Sequence, residues 1–162
     1  LPKKEKIKNQ LSYEESINSN SFKKFNARIE NTKTILNFFL TKISKRDIIA
    51  YGASTKGNIV LNHCEINNKQ IKYICDANPY KYNKYTPGSN LKIISKKNMR
   101  IKKPKYLLVL IWSFRKEVIK QELDYLKKGG KLIFHLPIFH IVDSNNYKEF
   151  LKSDFDSLAY DL

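Results

Sequence analysis

The stretch DIIAYGASTKGN, residues 47–58, and the stretch IKYICDANP, residues 71–79, decide the fold predicted for this chain. The first stretch passes from a short apolar run into a loop with two glycines, a hydroxyl group, a lysine and an asparagine. The second is another apolar run, and it ends on an acid. This order is typical of a strand–helix–strand unit in which a phosphate rests on the helix N-terminus and the acid meets a ribose.

Apolar runs and helix-like segments continue to alternate along the chain. We predict strands at 48–51, 71–75, 91–94, 106–112 and 131–136, with helices at 56–64 and 114–128. The run at 106–112, YLLVLIW, is typical of a central strand that is buried on both faces. The alternation predicts an α/β fold, with a mostly parallel, Rossmann-like sheet flanked by helices.

Four segments are predicted along the chain. Residues 1–20 should be a disordered or linker lead-in, because the basic start LPKKEKIKNQ offers nothing to bury. Residues 21–44 should form a connecting lead-in helix, whose apolar residues recur at three-four intervals. That face packs either on its own domain or against a preceding domain. The Rossmann-like domain should occupy 45–142, and residues 143–162 form a tail that is either a docking helix or frayed.

The net charge of +16 comes almost entirely from lysine, which is scattered along the chain. A dedicated nucleic-acid binder more often clusters its charge and uses arginine for bidentate contacts. Nucleic acid is therefore an unlikely partner on this composition, whereas a phosphorylated small ligand fits the charge. The arginines are Arg28, Arg46, Arg100 and Arg115.

The sequence also suggests a compartment. No apolar run approaches the roughly 20 residues that span a bilayer, and the start lacks the apolar core of a secretory signal. Cys64 and Cys75 lie in apolar surroundings without CxxC spacing, so buried reduced thiols are expected. These features predict a cytoplasmic protein without a membrane partner. The absence of an initiator methionine suggests a fragment of something longer.

The loop after the first predicted strand is the candidate phosphate site. Gly52 permits a tight turn, and Gly57 follows with Lys56 before it, a spacing that matches neither the dinucleotide pattern G-x-G-x-x-G nor a Walker loop. Ser54 and Asn58 have donors for phosphate oxygens, and Lys56 adds a point charge. The alternative is that Ser54 only caps the helix and Lys56 is solvated.

Further candidates lie beyond the second and fourth strands. Asp76 is equally well explained as a ribose partner and as a turn former, since Asn78 precedes a proline. Tyr85 belongs to a tyrosine-rich loop that either stacks on a base or sugar or covers a sheet edge. Trp112 ends the central strand, where ligands of open α/β sheets bind, and is otherwise a core residue.

Nothing in the sequence resembles a catalytic centre. His63, His135 and His140 are not spaced as a metal set, and no Ser-His-Asp or Cys-His order is evident. No pair of carboxylates is placed for acid–base chemistry. The chain is predicted to bind rather than to react.

Four separated motifs, in order, resemble the C-terminal domain of nucleotide-sugar (deoxy-sugar) C-methyltransferases. The motifs are YGASTKGN, IKYICDANPYKYNKYTPGSNLKIIS, PKYLLVLIWSFRKEVIKQEL and GGKLIFHLPIFHIV, and the similarity covers about residues 21–142. The resemblance implies a full-length protein with three parts: a small zinc-binding N-terminal domain, a central S-adenosylmethionine domain and a Rossmann-like C-terminal domain. The last helps to hold the nucleotide-diphosphate sugar whose carbon is methylated.

The resemblance implies roles for individual residues. It implies that the diphosphate is cradled by Gly52, Ser54, Lys56, Gly57 and Asn58. It also implies that the nucleotide side is lined by Asp76, Asn78, Tyr85 and Trp112. The chain has Ile111-Trp112-Ser113 where the family commonly has Pro-Trp-Asn.

The resemblance also bears on cofactors and partners. No cofactor is expected on this chain, because S-adenosylmethionine, zinc and the acid–base residues belong to the other domains of the full-length family. The methyltransferase domain would be a partner in cis or in trans. Two alternatives remain. One is a stand-alone nucleotide-sugar-binding or partner module, and the other is a nicotinamide-dependent sugar enzyme, which the missing G-x-G-x-x-G disfavours.

Overall fold

The computed structural model describes residues 2–153 and divides the chain into two units, Leu1–Asn31 and Thr32–Leu162. The first unit contains helix α1, Pro2–Ser16, and the beginning of helix α2, Ser19–Thr41. The Oδ1 of Asn18 accepts the N–H of Asn20 at 2.9 Å, so a side chain caps the start of α2.

Helix α1 lies within the stretch that the sequence predicted as a disordered or linker lead-in. Residues 4–15 are all exposed. The composition of α1 favours a helix, because lysine, glutamate, glutamine and leucine are good helix formers and Pro2 stands in the first turn. Because an exposed helix can also serve as a linker, the lead-in role of residues 1–20 stays a prediction.

The second unit is built on one six-stranded sheet. The strands are β1 (Ile48–Tyr51), β2 (Tyr73–Cys75), β3 (Lys92–Ile94), β4 (Tyr106–Val109), β5 (Lys131–Phe134) and β6 (His140–Val142). Their order in the sheet is β3-β2-β1-β4-β5-β6, and all neighbouring pairs are parallel except β5 and β6, which are antiparallel. The predicted α/β architecture with a mostly parallel sheet is confirmed.

Helices cover both faces of the sheet, as residues that alternate along β1 show. The helices after α2 are α3 (Thr55–His63), α4 (Lys96–Lys102), α5 (Arg115–Gln121), α6 (Leu123–Lys127) and α7 (Tyr147–Lys152). Ile48 and Ala50 join a core cluster with Leu36 of α2 and Leu61 of α3, whereas Ile49 and Tyr51 belong to the opposite cluster. The buried helical residues of this second cluster belong to α4, α5 and α6.

The lead-in helix packs on the sheet through its second half. Leu36 and Leu40 are buried, and the ring of Phe39 meets Tyr106 edge-on with a centroid distance of 5.6 Å. The compact unit that contains the sheet begins at Thr32, within the predicted lead-in helix. Earlier residues of the same predicted stripe, Phe22 and Phe25, are 62% and 52% exposed.

The strands predicted over 71–75, 91–94 and 131–136 are shorter in the structure, at 73–75, 92–94 and 131–134, and two further elements differ more. The strand predicted over 106–112 ends at Val109, because Ile111 leaves the extended conformation and a 3₁₀ turn follows at Trp112–Phe114. The helix predicted over 114–128 is divided into α5 and α6 at Glu122, a residue with φ −107° and ψ 16°. Glu122 is fully buried, so the break accompanies a buried charge.

The end of the described chain docks on the sheet. The ring of His140 is stacked between Phe134, at 5.0 Å, and Phe150 of α7, at 4.8 Å. For residues 143–153, the docking-helix alternative matches what the structure shows. The rest of the predicted tail, residues 154–162, lies outside the described residues.

Candidate functional site

A cleft of about 320 Å³ opens at the carboxyl ends of β1, β2 and β4. Strand β1 has β2 on one side and β4 on the other, so the strand order reverses beside β1. Ligands of open α/β sheets bind in the crevice at such a reversal. The lining residues are Tyr51, Gly52, Cys75, Asp76, Ala77, Lys96, Ile111, Phe114, Glu117, Val118 and Gln121.

Gly52 places the predicted loop at the mouth of this cleft. Its φ is +91°, and a Cβ there would lie 2.6 Å from Cγ2 of Ile111. The Gly52 N–H donates to the carbonyl of Cys75 at 2.8 Å, so it is already occupied. Gly52 therefore takes a positive-φ conformation that favours glycine, and the resulting turn brings the backbone close to the cleft.

Ser54 and Gly57 shape the start of α3. The Ser54 Oγ accepts the Gly57 N–H at 3.0 Å, which is an N-cap bond. A Cβ on Gly57 would lie 2.9 Å from the Cβ of Leu110, so glycine lets α3 approach the segment after β4. In the structure Ser54 therefore makes the helix-capping contact, which the sequence offered as the alternative to phosphate binding.

Lys56 and Asn58 occupy the first turn of α3. Lys56 is exposed, and the described residues give it no ion pair. The Oδ1 of Asn58 is buried and has no hydrogen-bond partner within the described residues. Amides in a first helical turn lack intrahelical acceptors, so this end of α3 has donors suited to an anion.

Asp76 connects the two sides of the predicted unit. Its Oδ2 accepts the Ala53 N–H at 2.8 Å, and its Oδ1 accepts the Asn78 N–H at 2.9 Å. The Lys81 Nζ lies 3.3 Å from Asp76 Oδ2 and donates to the carbonyl of Ala53 at 2.8 Å. Asp76 therefore forms the turn that the sequence suggested and also faces the cleft.

Seven of the nine predicted residues lie outside the cleft lining: the loop residues Ser54, Lys56, Gly57 and Asn58, and also Asn78, Tyr85 and Trp112. Asn78 is exposed, and its Oδ1 accepts the Tyr80 N–H at 3.0 Å to cap a 3₁₀ turn. Tyr85 is 57% exposed and bridges to Lys92, the first residue of β3, which places it towards the amino ends of the strands. Trp112 is half-buried against the second core cluster, next to Ile111, which does line the cleft.

A charged network beneath the cleft has no individual signal in the sequence. Glu122 is fully buried, and its carboxylate accepts the Tyr51 hydroxyl at 3.0 Å and bonds to Arg100. The Lys96 Nζ lies 3.3 Å from the same carboxylate and 2.9 Å from Gln121 Oε1. In a chain so rich in lysine and glutamate, spacing alone does not single out these members.

Burial shifts the proton affinities of two residues in the cleft wall. Desolvation, followed by the nearby Glu122 charge, raises the pKa of the Tyr51 hydroxyl far above its ordinary value. The same two causes, in the same order, raise the pKa of the Cys75 thiol to about 12. Both groups remain neutral at physiological pH, so neither is a nucleophile there.

A second, larger cavity of about 450 Å³ lies on the loops that precede β4 and β5. Two of its cations are engaged by the protein, since Arg100 bonds to Glu122 and Lys105 pairs with Asp47 at 3.2 Å. It opens at the amino ends of the strands, away from the crevice where ligands of such sheets bind. The smaller cleft is therefore the better candidate site.

Two further observations concern residues 2–153. No three His, Cys, Asp or Glu side chains in this range come together as a metal site. Over the same range, no helix has both the length and the apolar character needed to cross a membrane.

Together, the reversed strand order, the glycine turn and the acid after β2 define a Rossmann-like domain with a cleft at the carboxyl ends of its strands. Residues 2–137 match the family described as C-methyltransferase C-terminal domain, and the chain belongs to that family. It is also similar to C-methyltransferase NovU of Streptomyces niveus, with 30% identity over 101 residues. That match covers 62% of this chain and 24% of NovU, so the chain spans only part of its relative's length.

Proposed function

We propose that this chain binds a nucleotide-diphosphate sugar and orients it for an S-adenosylmethionine-dependent methyl transfer to a sugar carbon. The observation that carries the proposal is the cleft at the strand-order reversal, with Gly52 on one strand end and Asp76 on the next. Family membership and the name of the relative NovU support the methyl-transfer part.

The loop 52–58 would receive the diphosphate. The first-turn amides of α3 and the charge of Lys56 favour an anion at that end of the helix. The buried Oδ1 of Asn58 accepts no hydrogen bond among the described residues, so a ligand donor or a bound water would satisfy it. Asp76, whose Oδ2 accepts the Ala53 N–H beside the loop, would accept a hydrogen bond from a ribose hydroxyl.

The contribution of this chain to the reaction would be positioning. A substrate held at both its diphosphate and its nucleoside presents its sugar in one orientation, which lowers the entropic barrier to reaction. In the proposed whole enzyme, a base removes a proton next to a keto group and the resulting enolate carbon attacks the donor methyl group. The methyl donor and the base would belong to the methyltransferase domain, and we expect no methyl transfer by this chain alone.

The proposal is tested by calorimetric titration of the purified chain with a thymidine-diphosphate sugar. NADH and S-adenosylmethionine are the controls, and the titration is repeated on Lys56→Ala. Binding of the nucleotide sugar alone, weakened by the substitution, is the expected result. Binding of NADH in preference to the sugar nucleotide would contradict the proposal and support the nicotinamide alternative.

A second candidate is a partner module that works with a methyltransferase domain on another polypeptide. The observation in its favour is the exposure of Phe22, at 62%, and Phe25, at 52%, three residues apart on α2. Apolar side chains so placed on one helix face are suited to contact with another protein. A stable complex with a separate methyltransferase chain, lost in Phe22→Ser/Phe25→Ser, would distinguish this candidate.

A further inference from the structure

We infer that Lys96 is the cation within the cleft that contacts the anionic part of the bound ligand. This inference rests on the proposed function and adds to it a residue that neither the loop pattern nor the family resemblance indicated. Lys96 lies at the start of α4, directly after the N-cap Ser95. It reaches the same cleft as Gly52 and Asp76 from a different element of the fold.

The charges on the cleft wall single out Lys96. Three charged side chains line the cleft in the described structure, and two of them, Asp76 and Glu117, are acids. Asp76 is already paired with Lys81 at 3.3 Å. An anionic ligand in this cleft would therefore find its attractive charge at Lys96, because the remaining wall is neutral or acidic.

The Lys96 ammonium group is held in position by three neighbouring side chains. Its Nζ donates to Gln121 Oε1 at 2.9 Å, lies 3.3 Å from Glu122 Oε1 and stands 5.0 Å above the centre of the Tyr51 ring. The side chain nevertheless keeps 37% of its exposure. An ammonium group has three N–H donors, so at least one remains beyond the hydrogen bond to Gln121 and the ion pair with Glu122.

The buried carboxylate of Glu122 balances only one of the two positive charges beside it. Glu122 carries one negative charge and is contacted by two cations, Lys96 and Arg100. Arg100 makes the closer contact and is not among the residues that line the cleft. The unbalanced positive charge therefore lies at Lys96, and a phosphate group of the ligand would neutralise it.

The test compares thymidine diphosphate, thymidine and inorganic pyrophosphate as calorimetric ligands of the whole chain. Lys96→Gln should weaken binding of thymidine diphosphate about tenfold or more and leave thymidine binding within about twofold, because a charge-assisted hydrogen bond is lost. Pyrophosphate should weaken in parallel with thymidine diphosphate. The salt dependence of thymidine diphosphate binding should also decrease, since one attractive charge is removed.

Two further variants keep the test sharp. Lys105→Gln removes the same charge from an ion-paired lysine before β4, outside the cleft, and should leave binding within about twofold. Lys96→Met combined with Glu122→Gln removes both charges, so that no buried carboxylate loses a partner. It should show the same loss of binding as Lys96→Gln if Lys96 contacts the ligand directly.

The outcomes separate the inference from the proposed function. Thymidine diphosphate that binds the wild-type chain and binds both Lys96 variants equally well would overturn the inference and leave the proposed function in place. An equal loss in Lys105→Gln would also overturn it, because the effect would then be one of net charge. A wild-type chain that binds none of the three ligands would overturn the proposed function and the inference with it.

Discussion

The carboxylate of Asp76 accepts the backbone N–H of Ala53 at 2.8 Å, so the end of β2 is fastened to the loop that follows β1. This single contact joins the two stretches of sequence that predicted the fold. It also brings the glycine turn and the acid to one side of the cleft. The stability of the site should therefore depend on Asp76.

We expect Asp76→Ala to lower the free energy of unfolding by about 2 kcal/mol, because a charge-assisted hydrogen bond and a partly buried ion pair are lost. Urea denaturation measures the change. Asp47→Ala is the matched control, since it removes an exposed ion pair with Lys105 and should cost less than about 1 kcal/mol. Equal costs for the two variants would show that the contact with Ala53 adds no stability.

Gly52→Ala should destabilise the protein more than Gly129→Ala. The two glycines have similar φ angles, +91° and +88°, so the backbone strain of a side chain is about the same. A Cβ at Gly52 would also collide with Ile111, whereas no heavy atom lies within 4 Å of one at Gly129. We expect losses of about 3 and about 1 kcal/mol, which thermal denaturation distinguishes.

A smaller loss for Gly52→Ala than for Gly129→Ala would mean that Ile111 moves aside readily. The turn would then not depend on close contact between Gly52 and the segment after β4. The calorimetric affinity of each variant for the sugar nucleotide should follow the same order.

Cys64 and Cys75 should resist alkylation in the folded protein. Both thiols are buried, and desolvation followed by the Glu122 charge raises the pKa of Cys75 to about 12. At pH 9, iodoacetamide should leave the native chain unmodified and add two groups in urea, as mass spectrometry will show. Rapid single labelling at Cys75 without urea would contradict the burial of this wall of the cleft.

Acid should destabilise the fold through His135. Burial, followed by the nearby His140, lowers its pKa to about 4 from an ordinary value of 6.5. The unfolded chain therefore takes up the proton first, so the stabilisation is complete above pH 6.5 and is lost as the pH falls from 6.5 through 4. The full loss amounts to about 3 kcal/mol.

His135→Gln removes this titration and should give a flatter stability profile between pH 7 and pH 4.5. Urea midpoints measured at several pH values test the prediction. Parallel profiles for the wild-type chain and the variant would show that other groups control the acid response.

Much of the fold could be predicted because strands buried on both faces leave continuous apolar runs. The strand over 48–51 matches β1, and the predicted helix over 56–64 differs from α3 by one residue at each end. The strand predicted from the run at 106–112 is longer than β4, because Leu110 and Ile111 are apolar residues that pack into the core after the strand has ended. Burial alone does not show where strand pairing stops.

Other features could not be read from the pattern. Strand β6 has three residues and pairs antiparallel with β5, and so short a segment has no distinctive period. The break at Glu122 depends on contacts with Tyr51 and Arg100, which lie 71 and 22 residues away in the chain. Long-range polar contacts of this kind have no local signature.

The candidate site was predictable where it depended on the local unit and not where it depended on packing between elements. Gly52 and Asp76 line the cleft, and both belong to the strand–helix–strand unit. Tyr85 had been grouped with them through its aromatic ring, but its bridge to Lys92 places it towards the other end of β3. Phe114 reaches the cleft from the 3₁₀ turn after β4 and Lys96 reaches it from α4, and no local motif connects either element to the loop.

Amide chemical-shift changes in the isotope-labelled chain, on addition of a thymidine-diphosphate sugar, test most directly whether the ligand binds in the cleft. We expect changes at Gly52, at the first-turn amides of α3 and at Asp76, with little change at Tyr85. Changes confined to the second cavity, around residues 99–105 and 124–130, would contradict binding in the cleft. The ligand would then bind at the amino ends of the strands.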